Sequence, residues 1–423
     1  MNLRPIKEPN KTDYFLVLLM VLYAGVGNPI FRDVRYSIIP IIIAFIVYLH
    51  RGVKFTKNAR NIYIVSLLFI IAYFIKYGGE FDPMFSYRIF VYITFPYLII
   101  SVVKYNFFKI YENIIYVMAL ISLPMFLLQA TAYSTTLALL TKFQSILQIP
   151  PMENWKEYAN VIFFTINRGS DLSGGALRNC GFAWEPGGFS NFLIVAIIIN
   201  LARNKFNYKK NTNLWVLLLT FITTFSTTGF LAFGFVMLWF FYNSNIKKKM
   251  ILFPIFFALT IYSSTLSFMT EKIENLSSNP QAILDEVAHR SYITGNSYSI
   301  GRFAGFLMNL KDFKEHPVIG YGGHSEETWQ QKNNISVASI NGLGRWLAMF
   351  GSIGMAIFLF AYIKSFQNLA KLYNFKKPIL LLGTILTLGF GFGLIQSGLF
   401  FGLMLSYWIL PANKLIKIQD NSI

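Results

Sequence analysis

Long apolar runs joined by short polar connections make up most of the chain, and two long polar stretches interrupt them. Windows able to cross about 30 Å of hydrocarbon at about 1.5 Å per residue occur at 13–31, 34–49, 61–76, 86–103, 109–129, 187–202, 213–228, 229–243, 249–267, 342–363, 378–394 and 397–411. They predict about 12 transmembrane helices, with a range of 11–13. The range arises because the pairs joined at Thr227-Thr228-Gly229 and Gln396-Ser397-Gly398 also read as bent or re-entrant hairpins. The expected fold class is an all-α polytopic membrane protein, with residues 1–423 as a single integral membrane domain.

The interrupting stretches, residues 130–187 and 268–341, are not random linkers. They hold Trp155, Trp184, Trp329, Pro150-Pro151 and several glycine turns, a mixture that orders a loop. Within the second, Phe303, Phe306, Leu307, Leu310 and Phe313 recur at helical spacing, with Arg302, Lys311, Asp312 and Lys314 on other faces. That pattern predicts an amphipathic helix lying on the outer leaflet.

Charge gives an independent test of the topology, because Lys and Arg gather on cytoplasmic connections. Numbering the connections alternately, one side receives 22 of the 37 basic residues and four of the 19 acidic ones, so the whole net charge of +18 lies there. Both termini fall on that side, and the two long polar stretches fall on the other. The first apolar run lacks a small-x-small cleavage pattern and reads as a retained helix. Composition agrees: 55% hydrophobic and 13% charged residues, with a mean hydropathy of +0.49, exceed what a soluble core hides. The charge asymmetry thus marks topology, and nucleic acid is not an expected partner. The lone Cys180 excludes a disulfide framework.

Three segments carry candidate chemistry. The first, Arg178-Asn179-Cys180-Gly181-Phe182-Ala183-Trp184-Glu185-Pro186-Gly187, enters a helix; its amides and positive helix end favour an anion, Arg178 offers a forked phosphate contact, and Glu185 offers a base. An ordinary helix-entry turn with a dipole-stabilising Glu is the alternative. The second runs from Arg302 to His324 through His316-Pro317-Val318-Ile319-Gly320-Tyr321-Gly322-Gly323, a Pro-bounded glycine turn that brings Arg302 and His324 near the membrane surface. Solvated surface histidines are the bland reading there. The third is Asn341-Gly342-Leu343-Gly344-Arg345-Trp346, where Arg345 either faces a polar cavity or snorkels to the interface; Arg88 invites the same two readings. Gly389, Gly391 and Gly393 form a small-residue face suited to helix packing. No HExxH, paired-Cys or Asp-x-Asp spacing occurs, so neither a metal nor another cofactor is expected.

Taken in order, these segments resemble the bacterial O-antigen polymerases (Wzy type), a family similar to O-antigen ligases and other polysaccharide polymerases. The resemblance rests on the many-helix plan with two long loops, the Arg178–Phe189 entry segment, the Ser226-Thr227-Thr228-Gly229 hinge, the Arg302 to Gly322 segment and the Asn341–Gly354 helix start. It implies a GT-C-like, metal-independent glycosyltransferase in the bacterial inner membrane, with both long loops periplasmic. The implied substrates are undecaprenyl-pyrophosphate-linked oligosaccharides, as donor and as acceptor. Membrane lipids and a chain-length regulator protein are further implied partners. Arg178, Arg302, Arg345 and Arg88 would bind pyrophosphate, Glu185 or His324 would be the base, and Gly320, Tyr321, Gly322 and Asn341 would shape the loop.

Two rivals follow. A ligase would place a His where Ile340 stands. A lipid-linked oligosaccharide flippase suits the helix number, but transporters keep short loops and line a central path with ionisable residues.

Overall fold

The computed structural model describes residues 8–26, 31, 34–78, 82–147, 149, 158–167, 177–244, 279–294, 298–338, 341–393 and 397–410. It is a mostly helical membrane protein. The long helices are α1 (Lys11–Gly25), α2 (Ile38–His50), α3 (Lys57–Tyr77), α4 (Pro83–Val103), α5 (Asn106–Thr131), α6 (Tyr133–Ile146), α7 (Pro186–Arg203), α8 (Thr212–Thr223), α9 (Thr227–Asn243), α10 (Pro280–Thr294), α11 (Arg302–Glu315), α13 (Gly342–Tyr373), α14 (Ile379–Gly391) and α15 (Gly398–Ile409), with the four-residue α12 at Trp329–Lys332. Eleven of the twelve expected windows appear among them, and the window at 249–267 lies outside the described residues. Five (α3, α4, α5, α7 and α13) are long and apolar enough to cross a membrane by length and composition.

The bundle is organised around α7, whose residues are buried from Pro186 to Ala202. A helix apolar on every face belongs inside, not at the lipid boundary. Helices α5, α8 and α9 surround it, α9 packs on α14, and α13 packs on α11, α14 and α15. Helices α2 and α3 form a lipid-facing flank, with Ile42, Phe45, Ile46, Leu68, Phe74 and Ile75 exposed.

Polar contacts sort the helix ends into two groups. At the basic end Arg51 pairs with Asp13 at 2.5 Å, joining α2 to α1. Arg203 pairs with Glu112, joining α7 to α5. Asn58 donates to the Trp408 carbonyl at 3.1 Å, and Asn243 to that of Lys376 at 3.0 Å. At the opposite end α8 stops at Thr223 and α9 restarts at Thr227, capped by Ser226, so this pair is two helices meeting at a tight turn. With 12 residues each, α8 and α15 rise only about 18 Å, well short of a ~30 Å hydrocarbon layer.

The two polar stretches fold as small caps, and here the all-α expectation needs correcting. The first holds an antiparallel pair, β1 (Tyr158–Asn160) with β2 (Thr165–Asn167), packed on α6 through Leu140, Ala159, Val161, Phe164 and Ile166. The second holds a parallel pair, β3 (Tyr298–Ser299) with β4 (Val337–Ala338). Its core gathers Leu284 and Val287 of α10 with Ile300, Met308, Ile335 and Val337.

Helix α11 exists as expected but turns a different face inward. Ala304, Gly305, Met308, Asn309 and Asp312 are buried, whereas the Phe and Leu stripe is only partly covered. Small residues let α11 approach α13 closely, where Gly344 lies against Phe306 and Asn309. A similar revision applies to α14, whose close approaches to α9 are made by Gly383 against Phe235 and Gly391 against Thr228. A side chain added at Gly393 would meet open space.

Glu112 is 2% exposed and accepts from Asn200 (2.7 Å) as well as from Arg203. Arg203→Met should cost about 3–5 kcal/mol by stranding a buried carboxylate. The double variant with Glu112→Gln should recover most of it, which thermal unfolding in detergent would measure as a coupling energy.

Candidate functional site

The entry segment to α7 is locked residue by residue. Asn179, fully buried, bonds Thr223 through its backbone N–H (2.9 Å) and side chain (3.0 Å), reaches Ser122 of α5, and accepts the Gly181 N–H. Gly181 has φ +50°, and a Cβ there would overlap the Phe189 ring, so glycine is required on both counts. Ala183 then bridges to Val26 just beyond α1. This frame holds Arg178 with its Nε donating to the Thr224 carbonyl at 3.2 Å. It also sets Glu185 immediately before α7, where the Trp184 indole N–H donates to its carboxylate at 3.0 Å.

From the second cap, Arg302 opens α11 and donates through Nε to the Gly391 carbonyl at 2.7 Å, its guanidinium lying 4.4 Å over the Phe392 ring. Asn341 couples three elements. Its Oδ1 caps α13 by accepting the Gly344 N–H at 2.6 Å, while its Nδ2 donates to the carbonyls of Phe390 (2.9 Å) and Arg302 (3.2 Å). Phe392 also presses on Gly187 so closely that no Cβ fits. The starts of α7, α9, α11 and α13 thus converge with the end of α14.

Four helix N-termini bring partial positive charge to one place, and two guanidiniums add to it. Crowding by protein lowers the pKa of both Arg178 and Arg302 from the ordinary arginine value, and Arg302 lowers Arg178 further. The Glu185 carboxylate acts the other way, favouring the charged form of each. One carboxylate facing two arginines leaves a net positive site with a base beside it, suited to a multiply charged anion such as a diphosphate.

Of the residues singled out by sequence, Arg178, Glu185, Arg302 and Asn341 come together here. The others form a second group. Tyr321 bonds through its N–H to the Ala348 carbonyl (3.0 Å), and the charges of Arg345 and Arg88 act on its phenol. Gly320 and Gly322 adopt φ +74° and +61°, wedged against Met349 and the Tyr73 ring. His324 joins this group rather than Glu185: it is buried, its ring 4.9 Å from that of Tyr77, beside the charge of Glu327. The contacts thus gather Arg178, Glu185, Arg302 and Asn341 in one grouping and place His324 with Tyr77 and Glu327. Ile340, which bears on the ligase rival, lies outside the described residues.

Sequence reasoning missed Phe392, the bond from the Trp184 indole to Glu185 and the carbonyls of Thr224 and Gly391. Backbone acceptors leave no mark in residue identity, and Gly391-Phe392 sat inside a small-residue pattern that already had a packing explanation. No protein-family model, curated protein or solved structure matches the chain.

Two titrations follow from burial. The Cys180 thiol is pushed up to about 12 by burial, so it should resist alkylation at pH 8 until the chain unfolds; mass spectrometry after iodoacetamide treatment checks this. The Asp312 carboxyl is raised from 3.8 to about 6, chiefly by burial. The folded state then holds its proton more tightly than the unfolded chain, so native stability falls as pH rises from about 4 to 6 and stays reduced above that. Asp312→Asn, which keeps an acceptor for the Trp329 N–H (2.7 Å), should raise the unfolding midpoint at pH 7.5 and lose that advantage near pH 4.

Proposed function

We propose that the chain is a metal-independent, GT-C-like glycosyltransferase that polymerises undecaprenyl-pyrophosphate-linked oligosaccharide repeat units into O-antigen or a related surface polysaccharide. The observation that carries the reading is the Arg178–Arg302 pair with Glu185 among four helix starts. In this reading the protein lies in the bacterial inner membrane with twelve spans, cytoplasmic termini and both caps in the periplasm. A chain-length regulator would act with it.

The chemistry asks for little beyond what these side chains supply. An acceptor hydroxyl attacks the anomeric carbon of the donor sugar; the new C–O bond forms as the bond to pyrophosphate breaks. The leaving oxygen departs with the electron pair, stabilised by Arg178 and Arg302. The hydroxyl proton passes to Glu185, which the Trp184 indole orients. The partly desolvated position of both arginines strengthens each of these interactions. It also matches a lipid-linked substrate, whose diphosphate sits at the membrane boundary while its tail stays in hydrocarbon.

The test is a deletion strain complemented in turn with the wild-type chain, Arg178→Ala, Arg302→Ala and Glu185→Ala. Lipid A core carrying a single repeat and no ladder in the deletion, with each variant restoring less than about 1% of wild-type polymer, is the expected outcome. Long chains left unligated would turn the reading to a ligase. Substrate held on the inner leaflet would turn it to a flippase.

A further inference from the structure

A cavity of about 480 Å³ opens at the basic end of the bundle, between the start of α5 and the turn that joins α7 to α8. The whole of α7, about 27 Å at its usual rise, separates it from Glu185 and the arginines at the other end. Arg203, Lys209 and Lys210 line it, together with the amides of Asn113, Asn204, Asn207 and Asn213. The one carboxylate in the lining is Glu112, which already accepts from Arg203 and from Asn200 (2.7 Å). Three cations against one carboxylate leave the cavity positive. Lys209 and Lys210 are exposed, and among the described residues neither forms an ion pair.

The turn that presents these lysines is held in shape. Asn211 caps α8 by accepting the Leu214 N–H (3.2 Å), and its Nδ2 donates to Asn200 Oδ1 (2.8 Å) and to the Asn207 carbonyl (3.1 Å). Asn207 in turn accepts the Lys209 N–H at 3.2 Å. Phe206 anchors the turn to the bundle, its ring 4.8 Å from that of Trp239 and 6.5 Å from that of Phe375.

Two apolar stripes lead from the cavity into the membrane. Thr212, Trp215 and Leu219 share one face of α8, and Asn113, Val117 and Leu120 share one face of the adjacent α5. The first residue of each stripe lines the cavity, and the apolar residues after it are exposed. Trp215 donates its indole N–H to the Tyr208 carbonyl at 3.1 Å, the rim position that suits an interfacial Trp. A soluble anion has no use for such stripes. A lipid uses both parts, because basic pockets between membrane helices take acidic headgroups while the tails lie along the helices.

We infer that the cavity binds the phosphodiester headgroup of an anionic phospholipid such as phosphatidylglycerol, whose acyl chains lie on Trp215, Leu219, Val117 and Leu120. Lys209, Lys210 and Arg203 neutralise the phosphate, and the asparagine amides hydrogen-bond its ester oxygens and glycerol hydroxyls. The site stands whatever reaction the opposite end of the bundle carries out.

The full chain in a neutral detergent is titrated with phosphatidylglycerol, and in parallel with zwitterionic phosphatidylethanolamine. Native mass spectrometry counts retained lipid, and the unfolding midpoint reports its linkage to stability. One phosphatidylglycerol retained in preference to phosphatidylethanolamine, with a midpoint that rises with its concentration, is the expected result. Lys209→Gln with Lys210→Gln should weaken retention roughly 30-fold and leave the lipid-free midpoint unchanged. Thr212→Glu adds a charge favourable to the α8 start but hostile to an anion, and should weaken retention roughly tenfold in a chain at least as stable. Lys54→Gln with Lys57→Gln, at exposed lysines of the same end outside the cavity, should bind like wild type. Equal retention of the two lipids, or undiminished binding by both cavity variants, overturns the site. An equal loss in the Lys54 and Lys57 variant also overturns it, in favour of a diffuse basic surface. Displacement of the lipid by inorganic phosphate at equal concentration assigns the cavity to a soluble phosphate instead.

Discussion

Between Ala348 and Ile353 helix α13 surrenders its own hydrogen-bond ladder, and the glycine loop of the second cap takes it over. Gly351 adopts φ +64°, outside helical geometry. The N–H groups of Tyr321 and Gly322 donate to the carbonyls of Ala348 and Met349 at 3.0 Å each, while those of Ser352 and Ile353 donate back to Pro317 (2.8 Å) and Val318 (3.2 Å). In a low-dielectric surrounding a freed backbone group costs several kcal/mol, so the break and the loop exist only together. Tyr73 of α3 reinforces the splice, its hydroxyl lying against the carbonyls of both Ile319 and Met349. Lys76 adds a bond to Gly320 at 2.8 Å. One exchange of hydrogen bonds thereby fixes the cap to the membrane helices, aims Tyr321 at Arg345, and holds the lipid-facing α3 to the rest of the bundle.

The surface around the splice is tuned to keep it in place. His316 lies 3.1 Å from the Lys76 amine, and burial together with that cation lowers its pKa, so it is neutral near pH 7. Glu327 meets Lys332 at 3.0 Å, Lys332 meets Glu315 at 2.7 Å, and the charges on this exposed rim offset one another. Exposed pairs of this kind are worth little individually.

Hydropathy and charge alternation made the helices legible, because both patterns are written in residue type at a fixed period. The grouping of Arg178 with Glu185 was also legible, since they lie seven positions apart at one helix entry. What sequence left open was set by contacts that any residue supplies. Backbone carbonyls at Thr224 and Gly391 position the two arginines, and the buried face of α11 follows small residues instead of the louder Phe stripe.

The short helices carry a consequence for the membrane itself. Where α8 faces lipid with Trp215 and Leu219, its helical wall is only about 18 Å tall, so neighbouring acyl chains must compress or tilt to avoid wetting their ends. Hydrophobic mismatch of this size is relieved most cheaply by local thinning of the bilayer. A long polyprenyl chain, more pliable than a pair of saturated acyl tails, would fill such a dimple with less strain and so collect there from the surrounding leaflet. The bilayer deformation imposed by α8 would then enrich such a chain beside the protein.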